Sequence, residues 1–364
     1  MFERAEARID PSAIASNIAL LKKTSGTNLL AVVKADAYGH GLVEVSKIAL
    51  NSGATWLGVA LLEEALIIRK AGITAPILAW LVPPGSDFNS AIKSDIDIAV
   101  ASLASFKEII ATGLRARIHI EVDTGMNRGG VDDEWNEFIK SDFSSVDVVG
   151  IFSHFARADE PSEKQNLQQL ERFNEKVKDF PIKPQILHLS NSAATLKDPS
   201  SAFDLVRTGI AIYGLTPDLA HLGTSSILGL KPAMQLRAKL HLAKKVPAGS
   251  PVGYGASELT KSDTKLGVVA IGYADGIPRI AHEAGVFIDG KRAPIIGRIS
   301  MDQFVVDLGA DSTAKSGDWV IVFGDGSRGE YTADDWASAS GSINYEIVTR
   351  IGARVPRIYG THVY

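Results

Sequence analysis

The 364-residue chain has no cysteine. Disulfides, thiolate metal centres and cysteine nucleophiles are therefore excluded, and no other metal site is expected. An excess of one charge is also missing: 38 basic and 42 acidic residues leave a net charge of -4. No basic cluster overrides that balance, so neither nucleic acid nor an anionic membrane surface is an expected partner. No apolar run approaches the roughly 20 residues that span a bilayer. The start, Met1 to Arg8, alternates charged and apolar residues and lacks the continuous apolar core of a signal peptide. Low-complexity stretches and an obvious linker are absent as well. A soluble cytoplasmic protein is the resulting expectation. With 45% hydrophobic and 22% charged residues, the chain is long enough for two domains, or for one large barrel with an appendage.

What is present first is a repeat. Eight apolar runs recur along the first two-thirds: 29–33, 56–60, 75–80, 96–100, 117–122, 146–152, 185–189 and, less cleanly, 203–206. Segments of helical spacing lie between them, among them 63–71, 103–111 and 164–178. In the first of these, Ala65, Ile68 and Ala71 recur at intervals of three, with Glu64 and Arg69 on other faces. Near-continuous apolar runs suit strands covered on both faces. Eight units of this kind predict an N-terminal (β/α)8 TIM-like barrel over 8–230, with an open doubly wound sheet as the alternative. After residue 230 the pattern changes to strand-like stretches at 235–245, 266–273, 285–289, 293–299, 303–307 and 319–323. Asp289-Gly290 fits a hairpin turn, because both residues tolerate positive φ. One short helix is predicted near 333–339 behind a cap at Thr332. The fold class is thus α/β, a barrel followed by a mostly β domain over 231–364.

Chemistry-bearing residues gather at the ends of the runs. Lys34 directly follows the first run and leads into Tyr38-Gly39-His40-Gly41. Barrel enzymes place catalytic groups at the C-terminal ends of their strands, where a desolvated amine can form a Schiff base with an aldehyde. A lysine that merely snorkels to solvent is the alternative. Arg128 lies in the loop after the fifth run, His154 follows the sixth, Asn191 and Ser192 the seventh, and Arg207 and Gly209 the eighth. Each alone reads equally as an exposed arginine, a core histidine or a helix cap. Together they ring one face of the barrel, and Ser192 with the Gly209 backbone suits a phosphate. In the second domain Gly253-Tyr254-Gly255 sets a tyrosine between glycines.

These segments resemble bacterial alanine racemases, the fold type III pyridoxal-phosphate enzymes. The matching pieces are 32–41, 123–126, 191–193, 207–214, 253–255, 272–276, 297–302 and 344–346, in the family's order and spacing. The resemblance implies a (β/α)8 barrel with a C-terminal β domain that residues 1–7 join, assembled as a head-to-tail homodimer. It implies pyridoxal 5'-phosphate on Lys34, and a two-base exchange of L- and D-alanine. Lys34 would act on one face, and Tyr254 from the partner subunit on the other. Arg207 would meet the pyridine nitrogen, with His154 and Asn191 beside the cofactor. Tyr38, Ser192, Gly209, Ile210 and Tyr345 would hold the phosphate. Arg128 and the Met301 amide would hold the substrate carboxylate, with Tyr273 and Asp302 at the entrance.

One position departs from the family. Many members carry a carbamylated lysine two residues before the Asp-Thr-Gly motif, where this chain has Glu121. A glutamate already has the carboxylate, so Glu121 either holds Arg128 or is an ordinary inward polar residue. The alternatives are a racemase for serine or of broader specificity, a fold type III decarboxylase, and a non-catalytic cofactor-binding protein. An arginine at the ring nitrogen stands against the decarboxylase, and the retained Tyr254 stands against cofactor storage.

Overall fold

Runs of aliphatic residues broken by polar loops become strands when helices cover both of their faces. In the computed structural model, which describes residues 4–364, β1 (Ala5–Ile9) comes first. Eight strands follow: β2 (Asn28–Val32), β3 (Trp56–Val59), β4 (Ile77–Ala79), β5 (Asp97–Val100), β6 (Ala116–Glu121), β7 (Val146–Phe152), β8 (Ile186–His188) and β9 (Leu205–Thr208). All neighbours pair in parallel, in the order β8-β7-β6-β5-β4-β3-β2-β9. The two end strands then meet. Asp204 N–H donates to Leu187 O at 3.1 Å, and Arg207 N–H to Ser190 O at 2.9 Å. That closure rules out the open sheet and makes the eight-unit repeat a (β/α)8 barrel.

The predicted helices form as Leu62–Lys70, Leu103–Ala111 and Lys164–Asp179. On the first, Ala65 and Ile68 are buried while Ile67 is exposed, the one-sided pattern that seats a helix on a sheet. Burying an isoleucine of this kind stabilises the fold by roughly 1.5–3 kcal/mol. The Ser102 hydroxyl accepts from Ser105 N–H at 3.2 Å and fixes the start of the second.

The contacts divide the chain into two units: residues 14–37 with 42–230, and residues 4–13 with 38–41 and 231–364. The second unit is built on β10 (Met234–Val246), which pairs antiparallel with β1, β13 (Thr264–Val269) and β17 (Trp319–Phe323). β1 also pairs in parallel with β18 (Arg357–Tyr359). Residues 1–3 of the predicted N-terminal strand lie outside the described residues. β11 (Pro251–Val252) and β12 (Glu258–Leu259) pair with each other, and β16 (Phe304–Asp307) pairs with β13. β14 (Gly285–Ile288) and β15 (Lys291–Pro294) form the hairpin expected at Asp289-Gly290, whose φ values are +52° and +73°.

Two predicted strands are shorter than expected. The run 293–299 ends as a strand at Pro294, with only an isolated bridge from Ile295 to Val306 beyond it, and Gly297 takes φ +77°. A Cβ on Gly297 would stand 2.8 Å from Val252 O, so only glycine allows this approach. The run 266–273 ends as a strand at Val269, and Tyr273 opens a 3-10 turn. The predicted helix forms over Ala333–Ser340. The Thr332 hydroxyl accepts from Asp335 N–H at 3.1 Å, and the Asp335 carboxylate accepts from Thr332 N–H at 2.9 Å. A further helix, Asn344–Thr349, contains the segment that sequence patterning left unassigned.

Candidate active site

Lys34 follows the last residue of β2 by two positions, and its Nζ lies 6.0 Å from the centre of the Trp80 ring. Burial and the Arg128 cation hold the amine below the ordinary lysine range, while Glu64 pulls it upward. The chain after Lys34 turns with the wrong hand. Ala35, Asp36, Ala37 and Tyr38 all take φ between +52° and +54°, a single left-handed turn without glycine. Such a residue costs roughly 1–2 kcal/mol relative to a right-handed one, so something must hold the turn.

Glu64 is one such holder, and sequence reasoning left it on a surface face. Its Oε1 accepts from Ala35 N–H at 2.5 Å, and its Oε2 accepts from Ala60 and Leu61 N–H at 3.0 and 3.1 Å. The carboxylate thus joins the helix start after β3 to the residue beside Lys34. Asp36 adds a second tie, accepting from Leu42 N–H at 2.7 Å.

On the far strands, Arg207 sits buried on β9. Its Nη1 donates to His188 Nδ1 and O at 3.2 and 2.9 Å. Its Nη2 donates to Ser153 O, His154 Nδ1 and Leu189 O at 2.6, 3.2 and 3.2 Å. The Nε–H has no acceptor among the described residues. Burial holds the guanidinium down to about 10, and it remains a cation at neutral pH. His154 is pushed down to about 3 by burial and then by Arg207, Arg128 and Lys34. It is a neutral ring, and its Nδ1 accepts from Arg207. Three cations therefore act on one imidazole, a field that an anionic ligand would relieve.

The Ser192 hydroxyl accepts from the N–H groups of Gly209 and Ala211 at 3.0 and 3.4 Å, which brings the two predicted phosphate-binding segments together beside Ile210. The helix cap is Asn191 and not Ser192, with Asn191 Oδ1 accepting from Ala194 N–H at 3.0 Å. Glu121 makes no ion pair with Arg128 among the described residues. Burial raises its carboxyl, and Arg207, ahead of Arg128, opposes the rise.

In the second unit the rings of Tyr38 and Tyr345 lie 6.2 Å apart, and burial holds the Tyr38 hydroxyl protonated well above the ordinary range. Tyr273 and Met301 are tied by backbone. Tyr273 N–H donates to Ser300 O at 3.1 Å and Ala274 N–H to Met301 O at 2.9 Å. Buried Asp275 anchors that turn, taking Arg4 Nη2 and Nη1 at 2.5 and 3.0 Å and Gly272 N–H at 3.0 Å. Asp302 accepts from Arg354 Nη2 at 2.6 Å. Tyr254 is 73% exposed, out of reach of any core.

Comparison with known proteins decides the family. The alanine racemase N-terminal domain family matches residues 9–217, and the alanine racemase C-terminal domain family matches residues 233–359. The chain belongs to the alanine racemase family. It is 48% identical to the alanine racemase of Thermobifida fusca over 370 residues, covering 98% of both chains. It is 46% identical to that of Salinispora arenicola over 371 residues, again covering 98% of each. Among solved structures, the alanine racemase of D-cycloserine-producing Streptomyces lavendulae superposes with a TM-score of 0.95 at 45% identity, covering 100% of this chain and 98% of that one.

Proposed function

We propose that this chain interconverts L- and D-alanine, with pyridoxal 5'-phosphate held at Lys34 and the reaction run in the cytoplasm. The carrying observation is the set of cations Lys34, Arg128 and Arg207 around neutral His154, with the Arg207 Nε–H uncommitted. That donor set fits a planar, phosphate-bearing aldehyde with a ring nitrogen, plus a substrate carboxylate. Bound there, the cofactor would supply an aldehyde for the substrate amine and an electron sink that makes the α-hydrogen acidic.

The chain's own residues do the rest. Lys34, with its affinity for protons lowered by burial, takes or returns a proton on one face. Tyr254, supplied by the partner subunit of a homodimer, serves the other face. Its high exposure supports that assignment, because a side chain that meets only its own subunit would have little reason to stand in solvent. Arg207 would offer its Nε–H to the ring nitrogen without surrendering the proton. Ser192, Gly209 and Ile210, with Tyr38 and Tyr345, hold the phosphate, and Tyr38, kept protonated, has an O–H to donate to it. Asn191 and His154 flank the cofactor. Arg128 and the Met301 amide orient the carboxylate, while Tyr273 and Asp302 border the way in.

The test is α-proton exchange. Protein loaded with pyridoxal phosphate is incubated in heavy water with L-alanine, and separately with L-serine and L-lysine, then analysed by chiral chromatography. The expected result is deuterated D-alanine forming far faster than the other products. No exchange with any substrate, despite bound cofactor, overturns the reading.

A further inference from the structure

A line of buried side chains runs through the barrel interior behind Arg207. His188 on β8 has Nδ1 3.2 Å from Arg207 Nη1, and its Nε2 lies 2.8 Å from His119 Nδ1 on β6. His119 Nε2 lies 3.3 Å from Asp97 Oδ2 on β5. Asp97 in turn accepts from Arg117 Nε and Nη2 at 2.7 and 3.1 Å. His119, His188 and Asp97 are all shut off from solvent.

The two ends decide the direction of every bond between them. A guanidinium can only donate, and an ionised carboxylate can only accept. His188 Nδ1 must therefore accept from Arg207, which leaves its proton on Nε2. That proton points at His119 Nδ1, so the proton of His119 sits on Nε2 and points at Asp97. Burial holds both rings neutral, against the pull of Asp97 on His119 and reinforced at His188 by Arg207, and an added proton on either ring would set two N–H groups against each other. The line is a one-way chain, Arg207 to His188 to His119 to Asp97.

Packing holds the rings in this arrangement. Phe152 stacks on His188 at 4.8 Å and 14°, and its ring centre lies 5.1 Å from the Arg207 guanidinium. Trp56 meets His119 edge-on at 5.3 Å. The residue facing His119 on β7 is Gly150, where a Cβ would stand 2.3 Å from His119 Nδ1. Any side chain at that position would displace the ring.

Arg207 is a buried cation with no carboxylate in salt-bridge contact among the described residues, and the charge that favours it is that of Glu121. Its Nη groups meet only carbonyls and imidazoles. Aligned hydrogen bonds polarise one another, so the Asp97 charge makes His188 Nδ1 a stronger acceptor than an isolated imidazole.

We propose that Asp97, His119 and His188 form a positioning relay that fixes the rotation of the Arg207 guanidinium and so aims its Nε–H at the cofactor's ring nitrogen. The relay rests on the cofactor reading above and assigns roles to residues that touch neither cofactor nor substrate.

The discriminating ligand is a deaza analogue of pyridoxal phosphate, in which the ring nitrogen is replaced by C–H. In H119L the affinity of apoprotein for pyridoxal phosphate is expected to fall about tenfold, the size of one charge-assisted hydrogen bond. Affinity for the deaza analogue should stay within about twofold, since it offers Nε–H no acceptor. H119Q, whose amide oxygen accepts from His188 and whose nitrogen donates to Asp97, should recover most of the loss. Equal losses for both ligands, or no loss for either, overturn the relay. Imidazole nitrogen NMR of the wild-type protein tests the same point without a variant. Both rings should be neutral with the proton on Nε2 at neutral pH, and a proton on Nδ1 of either ring overturns the relay. Wild-type protein that takes up neither ligand would overturn the cofactor reading instead, and the NMR result would then judge the relay alone.

Discussion

Lys34 stands under opposed influences, and Glu64 is the one within reach of a simple substitution. Its carboxylate both caps Ala35 and raises the proton affinity of the amine that burial and Arg128 lower. Removing the charge therefore shifts Lys34 further down. We expect Glu64→Gln to lower kcat/KM for alanine about tenfold and to move the acidic limb of its pH profile to lower pH. An unchanged limb with an intact fold would remove Glu64 from the mechanism. Lys34, His154 and Arg207 were picked out in the sequence because each lies at or just past the end of an apolar run, and Arg128 because it lies in the loop after one. Glu64 was not, since its partner Ala35 lies 29 positions away and nothing in helical spacing marks a side chain that turns back toward the preceding loop. Glu121 stayed open between a hold on Arg128 and an ordinary inward polar role, because distance and orientation belong to the folded loop.

At the scale of elements, the left-handed turn after β2 stores strain that its caps must hold. The Ala35 side chain is exposed, so changes there test conformation without disturbing packing. Valine is poorly tolerated at φ +53°, whereas glycine adopts it freely. Ala35→Val should destabilise the protein by about 1–2 kcal/mol and slow turnover, while Ala35→Gly should leave stability within about 1 kcal/mol. Denaturant unfolding of the two variants checks both. Strand β6 teaches a second lesson. Its sequence, Ala-Arg-Ile-His-Ile-Glu, alternates strictly, with Arg117, His119 and Glu121 on one face and Ala116, Ile118 and Ile120 on the other. Read as a covered run, it predicted a strand correctly but hid the polar interior. Burying His119 and His188 uncharged also has a cost in acid. Their folded pKa values lie below the unfolded one, so the unfolded chain binds more protons below about pH 6.5. Stability from these two groups is complete above that pH and falls as pH drops below it. H119Q should therefore lose less unfolding free energy than wild type between pH 7 and pH 5.

At the scale of the whole molecule, the eight-fold repeat and the change of pattern near residue 230 made the architecture readable, because each barrel unit is local in sequence. The pairing of β1 with β10 was not readable from periodicity, since Glu6 finds its partner Arg237 across the full length of the barrel segment. Family resemblance alone pointed to it, as it did to the dimer. The exposure of Tyr254 turns that dimer into a quantitative question. Lys34→Ala and Tyr254→Phe should each abolish nearly all racemisation. If each site takes Lys34 from one subunit and Tyr254 from its partner, a mixed dimer has both mutations in one site and neither in the other. Random reassortment makes about half of the dimers mixed, and one of their two sites is intact, so the mixture should regain about a quarter of wild-type activity. If Tyr254 instead serves the site of its own chain, every site in the mixture carries one lesion and no activity returns. Unfolding and refolding the two inactive proteins together, then assaying D-alanine formation, separates shared sites from self-contained ones whatever the strength of the subunit contact.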